Sequence, residues 1–287
     1  MKLSLEKKPL SRRKLQETDP MNIDGWNFMH NWDLVLPPSR PSALQLNRIK
    51  TQIQNIDRSV PVAILGSTPE FRDLLFQCGF QEIYLLERNL EFLDEMSSLR
   101  AYRNKEHVIE GHWLTTLPNL TGKFAAILSD LTSGNIPYDQ RSLFYDLIAG
   151  ALMNGGLFCD KVLTHPIPHI PLSFLIDKYA ELPLNLLYAN QFSCEVLFCS
   201  NLLDIKEMVD SSQFYSHLED RVTHERVRAF IEYAKKITPP GCIWWYGRKW
   251  SDLQVDYCKQ LVELDSANDE TGSPYYGRLR FFEFAKG

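Results

Sequence analysis

The stretch Pro61-Val62-Ala63-Ile64-Leu65-Gly66-Ser67-Thr68-Pro69-Glu70 predicts a short buried strand that ends at a glycine and is followed by the start of a helix. In open parallel sheets such a turn lies beside a nucleotide-like ligand, because the glycine lets the ligand approach the backbone and the helix N-terminus offers unpaired N–H groups. The dinucleotide fingerprint G-x-G-x-x-G needs three glycines, whereas this turn has only Gly66. The turn therefore indicates a ligand other than a dinucleotide with a pyrophosphate.

Composition favours a globular protein without a general affinity for nucleic acid or membranes. Of the 287 residues, 44% are hydrophobic and 12% are aromatic, which suffices for a packed core, and the net charge is −5. No apolar run reaches the ~18–20 residues of a membrane span, and no apolar segment typical of a secretory signal follows the basic residues near the start. The six cysteines lack the spacing of zinc ligands, so we predict a cytoplasmic protein without a metal centre.

Short apolar runs alternate with helical patterns from residue 60 onward. Strands are predicted over 61–66, 82–87, 106–110, 124–130, 156–163, 194–199 and 276–284. Helices are predicted to begin at Ser42 and to occupy 69–78, 89–101, 139–153 and 171–181. This alternation is typical of right-handed β-α-β crossovers. The predicted fold class is α/β, with a doubly wound, Rossmann-like, seven-stranded and mostly parallel sheet and helical N-terminal and C-terminal additions.

The same pattern divides the chain into five predicted segments. They are a flexible tail (1–20), an N-terminal helical and aromatic cap (21–57), the ligand-binding core (58–200), a mainly helical insertion (201–270) and the closing strand (271–287). The aromatic additions on both sides of the core are expected to build a pocket for a second ligand.

Residues able to bind a ligand stand where the predicted strands end. Gly66, Ser67 and Thr68 follow the first strand, Glu87 ends the second, His112 and Trp113 follow the third, Asp130 and Leu131 end the fourth, and Asp160, Lys161 and His165 lie on or just past the fifth. Because ligands of doubly wound sheets bind at the carboxyl ends of the strands, we expect these residues to surround one site. Glu87 comes about twenty residues after the glycine turn, where an acidic side chain accepts hydrogen bonds from the ribose hydroxyls of an adenosine.

Four motifs follow one another along the core. They are the turn at Gly66, the acidic strand end Leu85-Leu86-Glu87, the segment Ala126-Ile127-Leu128-Ser129-Asp130-Leu131 and the turn Leu152-Met153-Asn154-Gly155-Gly156-Leu157-Phe158. In this order they resemble the class I S-adenosylmethionine-dependent methyltransferases over about residues 60–200. Arg40-Pro41-Ser42 and Gly111-His112-Trp113-Leu114 are similar to motifs of a bacterial subgroup of that family with a Leu-Gly-x-Thr-Pro-Glu turn.

The resemblance implies that S-adenosylmethionine is the cofactor. The residues it assigns to cofactor binding are Gly66, Ser67, Thr68, Glu87, His112, Trp113, Asp130 and Leu131. Two of these positions depart from the family pattern, since Thr68 replaces a second glycine and His112 replaces the Asp beside the adenine.

Methyl transfer requires an acceptor in line with the carbon–sulfur bond, and a hydroxyl or amine acceptor is also helped by a base. Candidate bases are His165, His169 and Asp130, and Tyr138 is a candidate for orienting the acceptor. Candidates for an aromatic wall around the acceptor are Trp26, Trp32, Trp244, Trp245 and Tyr246.

These features favour a methyltransferase that acts on a small organic molecule or a short peptide in a biosynthetic pathway. An RNA or protein methyltransferase is the alternative within enzymes. A catalytically silent, cofactor-binding partner subunit is a second alternative, which the incomplete glycine motif suggests. Neither nucleic acid nor a membrane is favoured as a partner.

Overall fold

The computed structural model describes residues 32, 40–103, 105–165, 170–200, 208–245, 248–249, 257, 260–268 and 279–287. The helices are α1 (Ala43–Ile53), α2 (Pro69–Gln77), α3 (Leu90–Ser98), α4 (Trp113–Thr116), α5 (Tyr138–Ala151), α6 (Leu172–Ala180), α7 (Leu186–Cys199), α8 (Ser211–Arg221) and α9 (Glu225–Ala234). The strands are β1 (Val62–Leu65), β2 (Ile83–Glu87), β3 (His107–Glu110), β4 (Phe124–Asp130), β5 (Leu152–His165), β6 (Met208–Asp210), β7 (Ile243–Trp245), β8 (Arg248–Lys249), β9 (Leu261–Asn268) and β10 (Leu279–Lys286). None of the described helices combines the length and the apolar character that a membrane crossing requires.

A mostly parallel sheet forms the centre of the molecule. Its strand order is β3-β2-β1-β4-β5-β10-β9, and the short β8 pairs with the end of β5 outside this row. Strands β3, β2, β1, β4 and β5 are parallel, whereas β10 is antiparallel to both of its neighbours. The predicted Rossmann-like, seven-stranded sheet is confirmed. Since the strand order reverses between β1 and β4, a crevice opens at their carboxyl ends.

Helices cover both faces of this sheet, because its central strands are apolar on both sides. Ile64 of β1 belongs to one apolar core with Ile49 of α1 and Phe71 of α2. Ile127 of β4 belongs to the opposite core with Phe144 of α5. All five side chains are buried. The resulting three-layer arrangement holds the strand ends in fixed positions.

The helix that the sequence places after Ser42 is α1. The Ser42 hydroxyl oxygen accepts a hydrogen bond from the Gln45 N–H at 3.1 Å and thereby caps the helix. Ile49 and Ile53 are buried against the sheet. The predicted tail and residues 21–39 of the predicted N-terminal cap, apart from Trp32, lie outside the described residues.

The prediction of a strand over 194–199 is wrong, because this segment is the last part of α7. A short apolar run fits a buried helix as well as a buried strand, and periodicity alone does not separate the two. The helix is favoured by Asn185, whose side-chain oxygen accepts a hydrogen bond from the Tyr188 N–H at 2.9 Å and caps the first turn. The strand that completes the sheet is β9, in the segment predicted to be mainly helical.

The predicted closing strand is present as β10, but both of its faces are buried. The sequence predicts one wetter face, whereas residues 281–284 are all buried between the flanking layers. Glu283 is therefore enclosed, and two side chains of α1 compensate its charge. Arg48 Nε donates to Glu283 Oε1 at 2.9 Å, and Gln52 Nε2 donates to Oε2 at 2.8 Å.

Helices α6 to α9 form a helical addition with an apolar core of its own. Tyr179 of α6, Phe192 of α7, Phe214 of α8 and Phe230 of α9 are buried in this core. The helical addition thus includes two helices that precede residue 200, where the sequence analysis ends the core. Strands β6 and β7 form a separate antiparallel pair next to it.

Replacing Arg48 by Met should destabilise the protein by about 2 kcal/mol, because Glu283 would keep a buried charge without its cation. Urea denaturation of the purified protein measures this change in the free energy of unfolding. The double variant Arg48→Met/Glu283→Leu removes both charges and should recover most of the loss. Wild-type stability of the single variant would show that the ion pair does not support β10.

Candidate functional site

One cleft brings the strand ends together with α3, α5 and the helical addition. Its volume is about 320 Å³. Of the eight residues assigned to cofactor binding from the sequence, seven line this cleft: Gly66, Ser67, Thr68, Glu87, Trp113, Asp130 and Leu131. The carboxyl ends of β1, β2 and β4 therefore converge on the same space.

Gly66 and Glu87 face each other at the ends of neighbouring strands. Gly66 has a φ of +100°, and a Cβ atom built on it would lie 3.8 Å from Oε2 of Glu87. The other carboxyl oxygen, Oε1, accepts hydrogen bonds from the backbone N–H groups of Arg88 and Asn89 at 2.8 and 2.9 Å. Burial raises the pKa of Glu87, and these two donors oppose the rise. The carboxyl group is thus fixed in orientation, with one oxygen at the glycine turn.

Two carboxyl groups lie near the N-terminus of α2, which begins immediately after this turn, and each has a cation beside it. Glu70 lies in the first helical turn, where its Oε1 accepts a hydrogen bond from Trp32 Nε1 at 2.9 Å and is 3.8 Å from Arg40 Nε. Burial raises the pKa of Glu70, whereas the Trp32 hydrogen bond and the Arg40 charge oppose the rise. The second carboxyl group, that of Asp130, is paired with Lys161.

Apolar side chains line the cleft close to Glu87. They are Phe92 and Met96 of α3 and Trp113 of α4. The indole Nε1 of Trp113 donates to the Leu86 carbonyl oxygen at 2.7 Å, which holds the ring against β2. A planar aromatic group of a ligand suits such a lining.

A buried ion pair lies where β4 and β5 end. Lys161 Nζ is 2.5 Å from Asp130 Oδ1, and the two side chains are 0% and 6% exposed. The residues are register partners, so both side chains project from the same face of the sheet. Burial raises the pKa of Asp130, and the Lys161 ammonium opposes the rise.

Leu131 turns the chain from β4 into the cleft wall. It is the non-glycine residue with positive φ in the described part of the chain, at 59°. A left-handed conformation costs an L-residue roughly 1–2 kcal/mol. It leads into a 3₁₀ turn over Thr132–Asn135, whose residues line the cleft. Backbone strain at such a place is typical of functional sites.

On the opposite face of β5, Asp160 is buried in the apolar core beneath α5. Its Oδ2 accepts hydrogen bonds from the hydroxyls of Tyr145 and Tyr257 at 3.3 and 3.4 Å. Burial raises the pKa of Asp160 to about 7, while hydrogen bonds from the two tyrosines oppose the rise. Tyr145 also hydrogen-bonds Ser133, which lines the cleft.

The other end of the cleft lies against the helical addition and β7. Its lining is formed by Leu163, Asn190, Ser193, Cys194, Leu197, Ser211, Phe214, Tyr215, Thr238, Ile243, Trp244 and Trp245. Trp244 and Trp245 were predicted to contact the acceptor, and Trp32, also predicted, lines the cleft as well. The hydroxyl of Tyr215 donates to the Thr238 carbonyl oxygen at 2.8 Å, which fixes this ring.

Other predicted site residues lie elsewhere. His112 caps α4 by accepting a hydrogen bond at Nδ1 from the Leu114 N–H at 3.3 Å, and Tyr138 stacks 4.5 Å from the Arg141 guanidinium. Neither His112 nor Tyr138 is among the described residues that line the cleft. Trp26, His169 and Tyr246, and the side chain of His165, lie outside the described part of the chain.

Asp160 and Lys161 were expected to surround the site but do not line the cleft, and several residues that do line it received no role from the sequence. Asp160 and Lys161 interrupt an apolar strand. Because a buried strand excludes charges that have no partner, this interruption indicates that both side chains have partners in the fold. Arg141, buried in α5, gives no such signal, since a basic residue near a helix start is ordinary. The cleft residues of α7 were missed because this segment was assigned to a strand. Within the described ranges, no group of three or more His, Cys, Asp or Glu side chains is arranged to hold a metal ion.

Comparison with known proteins establishes a shared fold. Neither a protein-family model nor a curated protein matches the sequence. A candidate Zn-dependent alcohol dehydrogenase from Rhodobacter sphaeroides has a TM-score of 0.54 at 11% identity, with 90% of this chain and 97% of the other covered. An S-adenosylmethionine-dependent methyltransferase from Clostridium acetobutylicum has a TM-score of 0.52 at 12% identity, covering 91% and 98%. The 1,6-didemethyltoxoflavin-N1-methyltransferase from Burkholderia thailandensis has a TM-score of 0.50 at 8% identity, covering 90% and 84%.

The pKa of Asp160 predicts a specific pH dependence of stability. Because this pKa is about 7 in the folded protein and 3.8 ordinarily, the folded state binds more protons than the unfolded chain between these values. The free energy of unfolding should therefore fall as pH rises through this window, and an Asp160→Asn variant should lack this component. Urea denaturation from about pH 5 to about pH 8 measures the difference between the two proteins. An Asp146→Asn variant, changed on the exposed side of α5, should keep the wild-type profile. If the free energy of unfolding of Asp160→Asn varied with pH as that of the wild type does, the raised pKa of Asp160 would be contradicted.

Proposed function

We propose that this protein is an S-adenosylmethionine-dependent methyltransferase whose acceptor is a small organic molecule or a short peptide. The observation that carries the proposal is the pairing of Gly66 and Glu87 at neighbouring strand ends, with the buried carboxyl group turned towards the glycine. A carboxylate there accepts hydrogen bonds from the ribose hydroxyls of an adenosine, and the glycine leaves room for the ligand.

The surroundings of α2 favour a methyl donor over a dinucleotide. A dinucleotide places its pyrophosphate at this helix N-terminus and needs the close backbone approach of a three-glycine turn, whereas Ser67, Thr68 and Pro69 here follow the single Gly66. S-adenosylmethionine carries no phosphate and does not need that turn.

Different groups of cleft residues would hold the different parts of this cofactor. Phe92, Met96 and Trp113 would hold the adenine, Glu87 the ribose, and Thr68, Asp130 and Leu131 the methionine part. The bound cofactor supplies a methyl carbon that the positive sulfur already activates. The contribution of the chain is to orient the acceptor towards that carbon and to exclude water from both.

The end of the cleft at the helical addition is the proposed acceptor pocket. Trp244, Trp245 and Tyr215 provide aromatic surface, and Asn190 and Ser193 provide hydrogen-bonding groups. An enclosed pocket of this composition suits a discrete molecule better than a long polymer, which is why an RNA or a folded protein is the less favoured acceptor. The roles of His165 and His169 as bases, of Tyr138 in orientation, and of Trp26, Trp32 and Tyr246 in the pocket wall remain part of the proposal.

The structural neighbours are compatible with this function but do not select it. The Clostridium and Burkholderia proteins are named as methyltransferases, whereas the Rhodobacter protein of the same fold is named as a dehydrogenase. Since one fold supports different chemistries, the choice rests on the cleft. Membership of the bacterial subgroup with the Leu-Gly-x-Thr-Pro-Glu turn is likewise proposed from the sequence motifs.

Isothermal titration with S-adenosylhomocysteine tests the cofactor directly. The wild-type protein should bind it, and Glu87→Ala should weaken binding about tenfold or more, which corresponds to about 1.4 kcal/mol, because the ribose would lose its acceptor. Glu110→Ala is the matched control, since Glu110 ends the adjacent strand β3 as the exposed register partner of Glu87. This variant should bind like the wild type.

Other outcomes of the same titrations decide between the alternatives. Binding of a nicotinamide dinucleotide, with no binding of millimolar S-adenosylhomocysteine, would refute the methyltransferase. Binding of S-adenosylhomocysteine without methyl transfer to any member of an acceptor library would favour a silent partner subunit. Equal binding by Glu87→Ala would show that the ribose site is misplaced.

A further inference from the structure

A row of three hydroxyl and carboxyl groups leads from the cleft into the apolar core. Ser133 lines the cleft and is hydrogen-bonded to the Tyr145 hydroxyl. The Tyr145 hydroxyl in turn donates to Oδ2 of Asp160 at 3.3 Å. Ser133, Tyr145 and Asp160 are 4%, 0% and 2% exposed, so the row is shielded from solvent along its length.

Among the residues that the structure describes, Asp160 forms no salt bridge. The titratable or charged groups on the elements packed against it are Asp130 of β4, Arg141 and Tyr145 of α5, Tyr257, and Arg280 and Glu283 of β10, with Cys159 and Lys161 as its neighbours in β5. Lys161 projects from the other face of the strand and pairs with Asp130. Arg141 lies near Tyr145, where its charge favours ionisation of the phenol. Asp160 is thus held by hydroxyl groups and can exchange a proton near neutral pH.

We propose that Asp160 receives, through Tyr145 and Ser133, the proton that a hydroxyl or amine acceptor gives up during methyl transfer. This inference rests on the proposed function. Asp160 is then a proton acceptor that does not touch the substrate. Tyr145 and Ser133 are the positioning residues between Asp160 and the substrate.

The transfer balances in atoms and charge. The carbon–sulfur bond of the sulfonium breaks and its electron pair remains on sulfur, while a lone pair of the acceptor oxygen or nitrogen forms the new bond to carbon. The acceptor proton moves to the Ser133 oxygen, the Ser133 proton moves to the Tyr145 oxygen, and the Tyr145 proton moves to Asp160 Oδ2. The carboxylate becomes a carboxylic acid, and the same row returns the proton to the cleft when the product leaves.

Tyr257 provides an internal comparison. Its hydroxyl donates to the same Oδ2 atom at 3.4 Å, and its ring packs against that of Tyr145 with the centroids 4.3 Å apart, but Tyr257 does not stand between Ser133 and Asp160 in the row. Removing either the Tyr257 or the Tyr145 hydroxyl should take one hydrogen bond from the Asp160 carboxyl group. Only removal of the Tyr145 hydroxyl interrupts the path from Ser133 to Asp160. Both contacts are long for hydrogen bonds between oxygen atoms, as is common before substrate binds.

The first test measures the pKa of Asp160 by NMR of the full chain labelled with ¹³C at aspartate carboxyl groups, with Asp160→Asn to assign the signal. In the complex with S-adenosylhomocysteine the signal should titrate near neutral pH. In the complex with S-adenosylmethionine its pKa should be lower by about one pH unit, because the positive charge on the sulfonium stabilises the carboxylate. The two ligands differ only in the methyl group and the charge on sulfur.

The second test compares methyl transfer to phenol and to thiophenol. Thiophenol reacts as a thiolate and needs no proton acceptor, whereas phenol does. Asp160→Asn and Tyr145→Phe should slow transfer to phenol about a hundredfold relative to thiophenol, and Tyr257→Phe should leave this ratio near the wild-type value. A merely structural role would lower both rates together.

Three results would overturn the inference. They are an Asp160 carboxyl that stays ionised from about pH 5 to about pH 9, the same pKa in both complexes, or an unchanged phenol-to-thiophenol ratio in Tyr145→Phe. Each of them leaves cofactor binding intact. Absence of binding by S-adenosylhomocysteine would instead contradict the proposed function itself.

Discussion

The ion pair between Asp130 and Lys161 is the interaction on which the geometry of the cleft depends. Both charges are buried at register positions where β4 and β5 end, so either one without the other would cost about 3–5 kcal/mol. The pair therefore fixes the two strand ends relative to each other. Leu131 follows directly in its left-handed conformation, and its N–H donates to the Lys161 carbonyl oxygen at 3.0 Å. The turn that walls the cleft is thus anchored to the strand that carries the cation.

Strand β5 holds two neighbouring ionisable residues, Asp160 and Lys161, in different surroundings. Because side chains alternate along a strand, Lys161 reaches the side of the sheet that holds its carboxylate partner, and Asp160 reaches the apolar core under α5. Lys161 pairs with Asp130, whereas burial raises the pKa of Asp160 to about 7. A single step along the backbone thereby separates a side chain in an ion pair from a carboxyl group surrounded by apolar residues and hydroxyl groups.

The parallel half of the sheet could be predicted from the sequence because its signals are local. Each of β1 to β4 is a short run with apolar residues, and Gly66, Glu87 and Asp130 mark strand ends, so the proposed cofactor side of the cleft follows from strand order alone. The proposed acceptor side could not be predicted in the same way. Its residues on α7 and α8 come together only when the helical addition packs, and no local pattern specifies that packing. The apolar segment 194–199 shows the limit most clearly, since its composition fits either secondary structure.

The strands of the sheet cannot all pair in the order in which they occur along the chain. β10 lies between β5 and β9, although it follows β9 in the chain. When the ribosome has made β9, that strand has no neighbour in the sheet, and it must wait until the later β10 has paired with β5. During this interval β9 lacks its partner strand. Its backbone hydrogen-bonding groups are unpaired, and it carries the exposed apolar side chains of Val262 and Leu264. The antiparallel edge of the sheet is therefore the part of this protein most exposed to wrong pairing during synthesis.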